Sequence, residues 1–179
     1  MRWANGGGWT TEIIAEPSSA QWSWRLSVAD VAVDGPFSAF PGVDRTIALL
    51  RGAGFALTVG GRVEQIIDVP FRPFEFAGDA VTTCRLIDGP VQDLNLMTTP
   101  QSGHRRLDFV HLASGTTTEL GDVEVVVVVS GQVRIGDHHL GYLDAIRCAA
   151  SAGGVALTPT SDGAVVACVS ARFDLSVVA

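Results

Sequence analysis

Short apolar runs separated by turn residues dominate the chain. From Trp22 to Val28 the residues alternate. Trp22, Trp24, Leu26 and Val28 share one face, and Ser23, Arg25 and Ser27 share the other. That is the period of a half-buried strand. Branched and aromatic runs at residues 11–15, 46–50, 55–59, 63–67, 84–87 and 91–97 predict further strands, as do those at 107–112, 123–129, 132–135, 142–148, 155–158 and 164–173, because such side chains suit a pleated surface. The five consecutive valines at 125–129 read as a strand covered on both faces. No segment sustains a capped helical period, so the pattern predicts an all-β sandwich or barrel. Strand, glycine turn and strand recur around Gly52 and Gly131, 79 residues apart. These read as tight turns between antiparallel strands, and they leave an internal duplication open. The segment Thr99-Pro100-Gln101-Ser102-Gly103 is the expected connection between halves, short enough that they should pack together.

Composition narrows the class. The 179 residues are 47% apolar and 17% charged, which excludes disorder. All basic residues are arginine, and the net charge is −7. An acidic surface repels phosphate backbones, so no nucleic-acid partner is expected, although a local arginine cluster can still hold a small anion. Three cysteines without a CxxC spacing point to reduced thiols in a cytoplasmic protein. No secretory leader or spanning segment is legible, and no membrane association is expected.

Three clusters carry candidate chemistry. In Trp3-Ala4-Asn5-Gly6-Gly7-Gly8-Trp9-Thr10-Thr11-Glu12, three glycines offer closely approachable N–H groups, and Asn5 donates and accepts. The spacing is neither a phosphate loop nor a dinucleotide fingerprint, so the segment is either an irregular turn into a strand or a ligand contact. The second cluster is Arg25, Ser27, Asp30 and Arg45. A guanidinium holds a carboxylate in bidentate fashion. Arg25, between Trp24 and Leu26, needs an anion from Asp30, from Glu12 or from a ligand. In the third cluster Asp93, Asn95 and Met97 face one way and Leu94 and Leu96 the other. That is either a half-solvated edge strand or the wall of a small polar pocket. The loop Pro36-Phe37-Ser38-Ala39-Phe40-Pro41 can cover an interface or a barrel mouth. His138 and His139 read as an exposed hairpin turn and His104 as part of the connection. With no HxH or HxxxH and no nucleophile elbow, neither a metal nor any other cofactor is expected.

Taken together, Trp3-x-Asn5-Gly6-Gly7-Gly8-x-Thr10-x-Glu12-Ile13, Trp24-Arg25-Leu26-Ser27-x-Ala29-x-Val31, Gly35-Pro36-Phe37-Ser38-x-Phe40-Pro41-Gly42-x-Asp44-Arg45 and Asp88-Gly89-Pro90-Val91-x-Asp93-Leu94-Asn95-Leu96-Met97 resemble the HutD/Ves family. The four blocks cover the first half, and the second half is similar only in strand pattern and length. The resemblance implies a cupin-type (RmlC-like) bicupin, two packed antiparallel β-barrels or jelly rolls at residues 1–98 and 104–179, with strands possibly exchanged between them. It implies a bacterial, cytoplasmic protein, often encoded beside histidine-degradation enzymes, that binds a pathway intermediate and restrains the pathway. The histidine-rich motif of metal-binding cupins is missing. Family members usually carry a short strand-forming segment before the first block, whereas here Trp3 stands almost at the start, which leaves open either a late start or a missing first strand.

Asn5, Glu12, Arg25, Ser27, Arg45, Asp93 and Asn95 match the recurrent polar positions of that family and are the expected ligand-binding set. Arg25 or Arg45 would clamp a carboxylate, and Asn5 and Asn95 would orient it. Glu12 or Asp93 would hold the arginines or read an imidazole or amide N–H. The expected partner is a small anionic metabolite such as urocanate, formylglutamate or formate, bound by a monomer or homodimer. The alternative is a metal-independent enzyme in which Glu12 and Asp93 form a general acid/base pair acting on a small acid.

Overall fold

The computed structural model describes residues 3, 7–19, 21–62, 64–100, 103, 105–148 and 154–171. The chain divides into two compact units, residues 1–102 and 103–179. Among the described residues every regular element is a strand, and no helix is long and apolar enough to cross a membrane. Asn5, His104, Val63 and the end of the expected last strand lie outside the described residues.

The first unit holds β1 (Gly8–Glu16), β2 (Trp24–Val31), β3 (Gly35–Pro36), β4 (Asp44–Arg51), β5 (Phe55–Val59), β6 (Gln65–Ile67), β7 (Phe74–Ala77), β8 (Thr82–Leu86) and β9 (Val91–Thr98). They form two antiparallel sheets, in the orders β1-β2-β9-β4-β7 and β3-β8-β5-β6. Ile47 and Leu49 from the first sheet pack in one core with Phe55, Leu57 and Ile67 from the second. In the second unit β10 (Arg105–Leu112), β11 (Thr118–Leu120), β12 (Val125–Ser130), β13 (Val133–Ile135), β14 (His138–Leu140), β15 (Ala145–Arg147), β16 (Val155–Pro159) and β17 (Ala164–Ala171) form sheets ordered β10-β17-β12-β15 and β11-β16-β13-β14. Val126, Val128 and Val166 meet Val133, Ile135 and Leu157 in its core.

Strand for strand, β10–β17 repeat the pairing order of β2–β9, and β1 is an added edge strand. Irregularities repeat as well. The ladder of β4 with β9 slips between Leu49 and Arg51, and that of β12 with β17 slips between Val128 and Ser130. Each slip precedes one of the two glycines of the sequence echo, so the duplication left open by the sequence is present in the topology.

The glycine turns themselves differ from expectation. β4 and β5 belong to different sheets, as do β12 and β13. Gly52 (φ 102°) and Gly131 (φ 72°) therefore turn the chain across the edge of the unit and do not close hairpins. Both sit where the backbone closes on a neighbour, and a Cβ on Gly52 would lie 2.7 Å from the Pro90 carbonyl oxygen.

Three further readings are corrected. Asp93 lies on β9, which runs between β2 and β4. It is a central strand buried along nearly its whole length, not a half-solvated edge. Trp22 precedes β2 and stacks on Arg25 instead of sharing the face of Trp24. β3, β7, β11 and β14 were not foreseen as strands. They are two to four residues long, too short for a period to register. His138 and His139 are exposed, in β14 directly after the turn. The valines at 125–129 are buried throughout, as expected for a strand covered on both faces.

Replacing Gly52 tests the corner. Gly52→Ala should lose about 3 kcal/mol in urea unfolding, from left-handed strain plus the backbone collision. Gly60→Ala, at φ 60° with open space around it, should lose only about 1 kcal/mol. Equal losses would show that close packing at the corner is unimportant.

Candidate functional site

Register places the polar residues in rows across adjacent strands of the first sheet. Arg25 on β2 lies opposite Met97 on β9, which lies opposite Arg45 on β4, which in turn faces Phe76 on β7. Two residues along, Ser27 pairs with Asn95. Two further, Ala29 pairs with Asp93. Directly opposed residues point to the same face of a sheet. Arg25, Arg45, Ser27, Asn95 and Asp93 therefore all face the interior of the first unit, where they line one cavity of about 550 Å³. That volume is in the range of small-molecule sites.

The remaining wall is mostly aromatic and apolar, from Trp3, Ala29, Pro36, Phe37, Phe40 and Met97, with Thr10 and Ser38 beside them. Backbone hydrogen bonds fix the aromatic loop: Phe37 N–H donates to the Thr82 carbonyl, and Phe40 N–H to the Gly78 carbonyl at 2.8 Å. Trp3 packs edge-on against Phe37 at 6.2 Å, and its indole N–H donates to Thr10 Oγ1 at 2.7 Å. Gly8 permits this closure, since a Cβ there would strike the Asp30 carbonyl oxygen and the Trp3 ring. Part of the glycine block thus serves packing.

The guanidinium groups rest on rings. Arg45 lies 4.9 Å from the Phe76 centroid, 5.3 Å from Phe37 and 5.6 Å from Phe40. Arg25 lies 5.2 Å from Trp22 and 5.8 Å from Phe40. Their polar contacts are weak. Arg25 Nη2 donates to the Met97 sulfur, and Arg45 Nη1 to the Ser38 carbonyl, each at 3.4 Å. Asp30, a sequence candidate for pairing with Arg25, instead accepts from Gln92 at 2.8 Å.

Four buried side-chain atoms among the described residues have no hydrogen-bond partner: Arg25 Nε, Arg45 Nε, Asp93 Oδ1 and Asn95 Oδ1. All four belong to residues lining this cavity. Buried polar atoms are otherwise nearly always paired, so their concentration in one hollow is the defining feature of the site.

Burial also shapes the charges. Asp93, 1% exposed, has its pKa pushed up to about 7 by desolvation, against the pull of Arg45 and with a further push from Asp30. Arg45, 5% exposed, is brought down to about 10 by burial. Asp93 opposes that shift, and Arg25 adds to it. Arg25, half-buried, is lowered by desolvation, and Glu12 partly restores it. Burial and the nearby Asp93 and Asp34 raise the Cys84 thiol to about 12.

The structure thus brings together Arg25, Ser27, Arg45, Asp93 and Asn95. Glu12 is exposed and outside the lining. Its strand position opposite Ser27 puts it on the same face, close enough to act on Arg25. Asn5 lies outside the described residues. Sequence reasoning missed Phe76 as the platform under Arg45 and Trp22 as that under Arg25. No cluster of three or more His, Cys, Asp or Glu suited to a metal occurs among the described residues. The three cysteines are free.

The second unit supplies an internal comparison. Val128 pairs with Val166 as Leu49 does with Asp93, and Val126 pairs with Cys168 as Ile47 does with Asn95. Valine and cysteine therefore occupy the positions of Asp93 and Asn95, and that interior is filled by apolar side chains.

Comparison with known proteins agrees with this architecture. The chain is 38% identical over 138 residues to protein Ves of Citrobacter koseri, covering 75% of this chain and 70% of that protein. It is 39% identical over 111 residues to a 21.2 kDa protein of the hutC 3′ region of Pseudomonas putida, and spans 58% of the length of that relative. Among solved structures, HutD from Pseudomonas fluorescens SBW25 (formate condition) superposes with a TM-score of 0.76 at 31% identity, over 97% of this chain and 94% of that one. A cupin 2 conserved barrel protein from Leptotrichia buccalis shares the fold alone, with a TM-score of 0.58 at 10% identity over 92% of this chain and 89% of that one. The fold is all-β and cupin-type. The family model for HutD matches residues 1–168, through most of the second unit as well as the first, and the chain belongs to the HutD family.

Proposed function

We propose that this chain binds a small carboxylate anion inside the barrel of its first unit and, through that ligand, reports on histidine utilisation in the cytoplasm. The observation that carries the reading is the pair of guanidinium groups on the buried Arg45 and the half-buried Arg25, each with a buried, unpartnered Nε in one cavity. A carboxylate satisfies such donors in bidentate fashion and neutralises cations that are otherwise buried at a cost. Ser27 and Asn95 would orient it, while Asp93 and Glu12 act on Arg45 and Arg25 through charge alone. Urocanate, formylglutamate and formate are the candidate ligands. The hutC-region relative and the formate-condition HutD structure support this choice.

A second reading is metal-independent proton transfer on the bound acid. It draws on Asp93, whose pKa of about 7 suits acid/base work at neutral pH. Glu12 is exposed and away from the cavity lining, so Asp93 would act without it.

Titration calorimetry with the three acids tests the first reading. Heat of binding to at least one is expected. Arg45→Met should weaken it at least 100-fold while leaving the melting temperature unchanged or raised, because the variant removes a buried cation. Unaltered binding by Arg45→Met would overturn the role of that residue. Conversion of any of the three acids, abolished in Asp93→Asn, would favour the enzyme.

Asp93 also makes a pH prediction. Its folded pKa lies above its ordinary 3.8, so the folded state keeps a proton that the unfolded chain releases. The stabilisation is complete below the usual Asp range and is lost as pH rises to about 7, at about 1.4 kcal/mol per pH unit at the steepest. Melting curves between pH 5 and 8 should show wild type losing more stability than Asp93→Asn. Parallel profiles would refute the burial of a titrating carboxyl at this site.

A further inference from the structure

A simple anion satisfies only half of the site. The unpartnered buried atoms are two donors, on Arg25 and Arg45, and two acceptors, on Asp93 and Asn95. A carboxylate placed against the arginines supplies nothing to the acceptors and is repelled by an ionised Asp93. Leaving a buried acceptor unsatisfied is costly, and more so for a charged one. The partition along the strands is spatial. The arginines stand in the row of Met97, and Asn95 and Asp93 stand two and four residues along β9. At about 3.4 Å per residue, the backbones of these rows lie roughly 7 and 14 Å from that of the arginine row, and Arg45 is still near enough to act on the Asp93 carboxyl. The rest of the lining includes Trp3, Pro36, Phe37, Phe40 and Ala29, with Thr10 and Ser38 as its uncharged polar members, so it adds no charge and favours a flat, largely apolar body.

We infer that the ligand is bifunctional: a carboxylate held by Arg25 and Arg45, a flat apolar spacer along the aromatic wall, and an N–H donor several bonds away that is read by Asp93 and Asn95. The inference rests on the carboxylate reading above and narrows it. Formate fills only the arginine end. A planar acid ending in an azole or amide N–H reaches both ends and gives the buried acceptors of the site a donor. The second unit marks what the donor subsite adds, because with Val166 and Cys168 at the matching positions that interior is closed by apolar packing.

A matched pair of acids separates the two levels of the argument. 3-(Pyrrol-3-yl)acrylate and 3-(furan-3-yl)acrylate have the same size, shape and carboxylate. They differ in one ring atom, N–H against O, and neither ring titrates near neutral pH. Calorimetry on the full-length wild-type protein should find the pyrrole acid at least 10-fold tighter. In Asp93→Val, which installs the residue found at the matching place in the second unit, the preference should fall to less than about threefold. Asn95→Leu should shrink it in the same direction, should Asp93→Val not fold. Equal affinity of wild type for the two acids, with binding intact, overturns the donor subsite and leaves the carboxylate site standing. Absence of binding by both acids and by urocanate, formylglutamate and formate overturns the carboxylate reading and this inference with it.

Discussion

Two guanidinium groups inside one small barrel, resting on rings and free of a bonded carboxylate, are the constraint around which the first unit is organised. Moving a cation out of water costs several kcal/mol even after relaxation. Cation–π contacts return about 2 kcal/mol each when desolvated. Arg45 has three such rings and Arg25 two. The loop carrying Phe37 and Phe40 is accordingly tied to β8 and to Gly78, just after β7, by backbone hydrogen bonds, because a platform that moved would expose the charge. A protein carboxylate in bidentate contact would have neutralised either arginine more fully, but it would also have occupied the N–H groups. Rings stabilise the charge and leave the donors open.

The duplicated topology shows that the fold itself does not demand this arrangement. Both units share strand order, the slipped ladder before the corner and the corner glycine. One encloses a polar hollow, and the other closes on valine, leucine and isoleucine. Apolar filling is the cheaper solution for a small barrel. The costlier interior of the first unit is therefore set by something other than stability, and a bound guest is the physical candidate that settles its unpaired groups.

Much of this was legible before any coordinates. Alternation alone put Arg25 with Ser27 on one face and Asp93 with Asn95 on another, and central strands keep such faces intact. What alternation does not carry is which sheet a strand joins next. Gly52 and Gly131 announced a turn, yet whether the turn closes a hairpin or crosses to the other sheet depends on partners far along the chain. Phe76 escaped notice for the same reason. β7 is four residues long, and its meaning comes from the register that sets it beside Arg45. The edge-strand reading of residues 91–97 failed because polar residues usually signal water, whereas here they face an internal hollow. Glu12 shows the converse limit, since the correct face of a strand does not decide whether a side chain lies inside the barrel or at its rim.

Asp93 determines what charge the hollow can accept. With its carboxyl ionised, it and the two arginines sum to one positive charge. With the carboxyl protonated they sum to two. A monoanion balances the first state and a dianion the second, so the proton on Asp93 and the valence of the guest are linked. Because burial brings the pKa of Asp93 to about 7, both states are accessible at neutral pH with little free-energy difference between them. A donor on the guest favours the ionised form, since a carboxylate accepts more strongly than a carboxylic acid. On the proposed reading the same residue would select for an N–H at one end of the ligand and for a single negative charge at the other, whereas a site built from the arginines alone would take any small acid.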